Sequence, residues 1–202
     1  MVENSDFKAP SDPWALFREW FALAEANEPN DPNAMSLATA GGDGMPSARI
    51  VLLKSFDEKG LVFFTNRQSQ KGLQLGINPK AAICLYWKSL RRQIRAEGMI
   101  SAVSDAESDA YFSSRPRGAQ IGAWASEQSQ ELDSRAVLEA HVREFEQQFE
   151  GKPVQRPPHW GGYRLTPLLI EFWQDREFRL HDRILYRRAN AKDIWMQKRL
   201  YP

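Results

Sequence analysis

The chain has 202 residues, enough to bury a sizeable core in one domain without disulfide or metal staples. Lys and Arg number 27 against 26 Asp and Glu, and a net charge of +1 gives no long-range pull toward nucleic acid or an anionic membrane. The lone cysteine, Cys84, excludes an internal disulfide and any zinc site built on two thiolates, and His141, His159 and His181 lack metal-binding spacing. Asp12 followed by Pro13 predicts a helix start, a capping carboxylate and then a proline in the first turn. Trp14, Phe17, Phe21 and Ala24 recur at helical spacing as far as Glu28.

Beyond Pro32 the period changes. Residues 34–40 read as a strand, Gly41-Gly42-Asp43-Gly44 as a hairpin turn, and 48–54 and 61–65 as two further strands. Residues 69–78 carry leucines at helical spacing before Pro79. The nearly continuous apolar run over 80–87 predicts a strand buried on both faces, followed by another over 93–103. Helices are expected over 105–113, 120–126 and 133–149, and strands over 163–174, 179–187 and 194–199. Strands, then helices, then strands predict an α+β fold around one antiparallel sheet or barrel. The whole of 1–202 is read as one domain with 1–11 as an N-terminal arm. Residues 1–10 lack an apolar signal core, and no apolar run approaches the roughly 20 residues of a membrane helix. With a single thiol as well, the expected compartment is the cytoplasm.

Several polar residues sit where a purely structural segment does not need them. In RIVLLK (49–54) strand alternation puts Arg49 and Lys54 on opposite faces, either as solvated strand ends or as two anion sites. Ser69-Gln70-Lys71 opens a helix, where free backbone N–H groups suit a phosphate as well as an ordinary serine cap. Gln93 is either exposed or reads a heterocycle edge. Arg115 and Arg117 lie in a loop that suits bidentate phosphate binding or plain solubility. By alternation Arg179, His181 and Arg183 share one strand face, where their mutual repulsion favours an anion or an electron-rich ring over a bare edge strand.

The ordered set RIVLLK (49–54), FFTN (63–66), YFSSRPR (111–117), QIGAWAS (120–126), HWGGYRL (159–165), EFWQ (171–174) and RLHDR (179–183) resembles the pyridoxine (pyridoxamine) 5′-phosphate oxidases, FMN-dependent split-barrel flavoenzymes. The resemblance implies a split antiparallel β-barrel with flanking helices, an FMN-binding homodimer with sites at the interface. It carries FMN onto Arg49, Ile50, Val51, Leu52, Leu53, Lys54, Phe64, Thr65, Lys71, Gln93, Gln128, Ser129, Trp173 and Arg183. It carries the substrate onto Lys54, Tyr111, Arg115, Arg179, Leu180 and His181, with Arg179 and His181 as the catalytic pair. The implied reaction oxidises pyridoxine 5′-phosphate or pyridoxamine 5′-phosphate to pyridoxal 5′-phosphate with O2, releasing H2O2. A related flavin oxidase of phenazine-type rings and a non-catalytic flavin-binding protein are the alternatives. Gln70 stands where relatives often have Arg, and Ala119 where they often have Ser.

Overall fold

The computed structural model describes residues 9–202. Helix α1 (Pro13–Asn27) begins as expected: the Asp12 carboxylate accepts from the N–H groups of Trp14 and Ala15 at 3.0 and 3.2 Å. There follow β1 (Ala34–Ala40), β2 (Pro46–Leu52), β3 (Ser55–Asp57), β4 (Gly60–Asn66), α2 (Gln70–Ile77), β5 (Lys80–Trp87) and β6 (Arg92–Ala102). Three helices come next, α3 (Asp105–Ser114), α4 (Arg117–Ala125) and α5 (Arg135–Gln148). Strands β7 (Trp160–Gln174), β8 (Asp182–Arg187) and β9 (Met196–Arg199) close the chain. Of the expected arm, 1–8 lies outside the described residues. Ala9 packs against the core, and the Pro10 carbonyl accepts from the Tyr186 hydroxyl at 2.5 Å.

Among the described residues nine strands form one antiparallel sheet, seven in the order β2-β1-β5-β6-β7-β4-β3, with β8 branching off β7 and β9 pairing β8. The long strand β7 makes it curl. One edge of β7 pairs with β6, while the other is shared, β4 taking Trp160–Leu165 and β8 taking Leu169–Gln174. A register shift at Glu97/Gly98 in β6 bends the ladder there, and Gly98 is required because a Cβ would meet the Thr166 carbonyl oxygen at 2.1 Å. The result is a curled half-barrel with helices on its flanks, as the α+β split-barrel expectation requires. Trp14, Phe17 and Trp20 of α1 fill its inner face, with Trp20 edge-on to Phe172 at 5.3 Å. No helix among the described residues is long and apolar enough to cross a membrane.

Three expectations need correction. Strand β5 is not buried on both faces: Ala81, Ile83, Leu85 and Trp87 face the core, while Tyr86 is 54% exposed. One face packs under α1, while on the other Ala82 and Cys84 are only half-buried. Strand β2 ends at Leu52, so alternation does not reach Lys54, whose N–H bonds the Val62 carbonyl instead. The segment 179–187 is not one strand. Glu177–Arg179 is a tight 3-10 turn with left-handed backbone at Phe178 and Arg179, and β8 starts only at Asp182. Arg179, His181 and Arg183 therefore do not share a strand face.

Candidate active site

A cleft of 580 Å³ opens beside β2, the edge strand of the sheet. Arg49 to Leu52 line it from β2 and Lys54 from the following loop, with Phe64 and Thr65 from β4 and Lys71 from the first turn of α2. Tyr111, Arg115, Gln128, Ser129, Gln70, Ala48 and Trp160 complete the wall. Arg49 and Lys54, expected on opposite faces, meet in this one cleft because the chain leaves β2 between them. The free rim of β2 presents backbone N–H and C=O groups with no partner strand among the described residues.

The wall holds four cations, Arg49, Lys54, Lys71 and Arg115, and no carboxylate. Each is braced by neutral groups. Arg49 donates to Thr39 Oγ1 and Ser47 Oγ at 2.6 Å each, and burial lowers its pKa. Lys71 is buried and donates to Thr65 Oγ1, Ser69 Oγ and Gln128 Oε1 at 3.0–3.2 Å. Burial first, and then the neighbouring Arg49 charge, push its ammonium down from 10.5 to about 8. Arg115 lies over the rings of Trp160 and Phe112 at 4.9 and 5.6 Å, and its buried Nη1 has no protein partner. Burial lowers its pKa too. Four cations held together without an acid fit a doubly charged anion such as a phosphate monoester.

Beside the cations lies a stack of rings. Phe64, Tyr111 and Trp160 form a triangle of near-parallel rings, with centroids 4.1 Å (Phe64–Tyr111), 5.4 Å (Phe64–Trp160) and 6.1 Å (Tyr111–Trp160) apart and planes within 20° of parallel, and Lys54 Nζ is 5.8 Å from the Tyr111 centroid. Trp160 was missed as a site residue. It was visible in HWGGYRL, but a tryptophan opening an apolar strand reads as core. Of the two departures noted from the family pattern, Gln70 lines the cleft and Ala119 does not, its N–H being taken by the Pro116 carbonyl. Arg117 points away, bonding the Phe149 and Lys152 carbonyls at 2.6 and 2.9 Å.

The remaining expected residues gather elsewhere. Leu53 is buried in the core, and its backbone groups bond Asn33. Gln93, Trp173 and Arg183 align as one row across β6, β7 and β8. Glu171, 3% exposed, holds Arg183 Nε at 2.8 Å and Arg95 Nη2 at 2.7 Å. Burial pushes the Glu171 carboxyl up, but the two arginines outweigh it and keep it below the ordinary carboxylate value. Arg179, Leu180 and His181 occupy the turn before β8, and none of this second group lines the cleft.

Residues 23–149 match the family model for pyridoxamine 5′-phosphate oxidase. The chain belongs to that family. Residues 160–202 match the pyridoxine 5′-phosphate oxidase C-terminal dimerisation region, which supports a homodimer. Trp173, Arg179, Leu180, His181 and Arg183 all fall within that region. The chain is 54% identical over 201 residues to the pyridoxine/pyridoxamine 5′-phosphate oxidase of Azorhizobium caulinodans, covering 100% of this chain and 95% of that one. It is 53% identical over 199 residues to the one from Brucella canis, covering 98% of each. Among solved structures, PhzG from Burkholderia lata in complex with tetrahydrophenazine-1-carboxylic acid superposes with a TM-score of 0.90 at 35% identity, over 100% and 97% of the two chains. A pyridoxamine 5′-phosphate oxidase-related, FMN binding protein from Nostoc punctiforme shares the fold, with a TM-score of 0.75 at 20% identity over 95% and 98%.

Proposed function

We propose that this protein is a cytoplasmic FMN-dependent oxidase of pyridoxine 5′-phosphate and pyridoxamine 5′-phosphate, yielding pyridoxal 5′-phosphate and H2O2, and from the amine also ammonia once water hydrolyses the imine. The observation that carries the reading is the acid-free cleft with four cations beside three stacked rings. Two phosphate monoesters, one on the flavin and one on the substrate, need this surplus of positive charge. The residues present fit FMN: an unpaired strand rim suits a planar polar heterocycle, and Arg49 and Lys71 suit its terminal phosphate.

When bound, FMN would supply the two-electron redox chemistry that removes a hydride from substrate C4′ and delivers the electrons to O2. The chain supplies binding and orientation. Arg49, Lys71, Thr65, Gln128 and Ser129 would hold the flavin phosphate end, and the β2 rim over Ile50, Val51 and Leu52 would hold its ring system, with Leu53 anchoring the end of that rim in the core. Lys54, Tyr111 and Arg115 hold the substrate phosphate, Arg115 through its unpartnered Nη1. Gln93, Trp173 and Arg183 would hold the flavin ring, and the Arg183 cation would offset the negative charge that its reduction develops. Arg179, Leu180 and His181 cover the pyridine ring, and His181 takes the proton of the C4′ hydroxyl or ammonium group as the hydride leaves. Since the second group lies outside the cleft and mostly within the dimerisation region, each site combines the cleft of one protomer with β6–β8 and the turn of its partner.

The likeness to PhzG at 35% identity supports a second reading, oxidation of a phenazine-type carboxylic acid. Identity of 54% to phosphate-ester oxidases and the Lys54–Tyr111–Arg115 cluster favour the first. Turnover of FMN-loaded protein with pyridoxine 5′-phosphate, pyridoxine and tetrahydrophenazine-1-carboxylic acid separates them. Only the phosphate ester should be oxidised well. Equal turnover of pyridoxine, or preference for the phenazine acid, overturns the proposal.

A further inference from the structure

Between β7 and β8 the chain reverses in a turn whose backbone is held in a sparsely populated state. Phe178 and Arg179 have φ of 55° and 61°, consecutive left-handed residues with neither a glycine. Packing within the chain does not hold this turn, since Phe178 is 87% and Leu180 67% exposed. Polar pairs close it at the base. Arg176 Nε lies 2.7 Å from Asp182 Oδ2, and His181 Nδ1 lies 3.0 Å from Asp175 Oδ1. The other Asp175 oxygen is 2.5 Å from Arg91 Nη2, and the Asp175 N–H donates to the Arg91 carbonyl at 3.0 Å. Asp175 is thus fixed to the neighbouring β5–β6 turn on one side and grips the imidazole on the other. The Trp173 ring flanks His181 with centroids 4.7 Å apart.

We propose that Asp175 is a positioning residue for His181. It holds the imidazole as the Nδ1–H form and leaves Nε2 as the nitrogen presented to substrate. The inference rests on the reading of His181 as a substrate-side residue. Nδ1 has two polar neighbours, the Asp175 carboxylate at 3.0 Å and the Arg176 N–H at 3.2 Å. It cannot donate to one and accept from the other at once. The carboxylate contact is shorter and charge-assisted, so it decides the proton's place. Without Asp175 the Arg176 N–H becomes the partner, the proton moves to Nε2, and Nε2 can no longer accept one from substrate.

The test uses ¹⁵N-histidine-labelled full-length FMN-loaded protein, with the His181 resonances identified by their loss in His181→Gln. In the native protein His181 should show a protonated Nδ1. Asp175→Asn should move the proton of neutral His181 to Nε2, and should lower kcat/KM for pyridoxine 5′-phosphate about 10- to 100-fold at unchanged flavin content. In a His181→Ala background Asp175→Asn should cost nothing further, a non-additivity that a merely structural role does not produce. Asp175→Ser is scored in the same way if the asparagine variant does not fold. An unchanged tautomer, or fully additive losses, overturns this inference alone. Normal turnover by His181→Ala overturns the role given to His181, and this inference with it.

Discussion

At Lys71 two effects push the same way: burial and the nearby Arg49 charge bring the ammonium to about 8. A phosphate dianion reverses both and favours the charged form. FMN affinity of the apoprotein should therefore weaken as pH rises through about 8, where the free lysine loses its proton. Lys71→Met should flatten that dependence. Arg49→Ala and Lys71→Ala each remove a charge-assisted contact, worth ~1.5–3 kcal/mol or roughly 10- to 100-fold in affinity. Fluorescence titration of apoprotein with FMN measures all three. These cations were legible in the sequence one by one. Their meeting was not, because the break after Leu52 that brings Lys54 round to Arg49 leaves no mark in an alternating apolar pattern. Trp160 and the unpaired Arg115 Nη1 also need the fold, since stacking and orphaned donors are tertiary facts.

Glu171 ties three strands together, standing on β7 with both oxygens used by Arg95 of β6 and Arg183 of β8. Its carboxyl titrates below its ordinary 4.5, so its contribution is complete above that value and is lost as pH falls through the depressed folded value. Glu171→Gln should lower Tm most at neutral pH, and the gap from wild type should close as the pH drops below 4.5. Thermal melts across pH give the result directly. Most elements were legible because their signals are local: the Asp12 cap, the Gly41–Gly44 turn and the leucine spacing of α2. The error at 179–187 has a physical cause. RLHDR alternates like a strand, but Phe178 and Arg179 take left-handed backbone that residue type does not announce. Helix α4 starts at Arg117, three residues before the expected 120, because Pro116 just outside the helix needs no N–H partner.

For the whole molecule the division of site residues into a cleft group and a β6–β8 group is the main consequence of the topology. Within one chain none of the second group lines the cleft, and the proposed function requires a two-fold dimer to bring each cleft to its partner's β6–β8 surface. Arg115→Ala damages the cleft and His181→Ala the turn, so each homodimer should keep only a small residual rate. In a statistical mixture the heterodimers carry one site with both lesions and one with none, which restores about one quarter of the wild-type rate. If each site lay within one chain, mixing would restore nothing.

The central claim is the reaction itself. The measurement that meets it most directly is aerobic turnover of pyridoxine 5′-phosphate by the FMN-loaded protein, with pyridoxal 5′-phosphate and H2O2 counted together. Sustained turnover is expected, with the two products formed in equal amounts and one O2 consumed for each. Protein that carries a full complement of FMN yet forms neither product contradicts it.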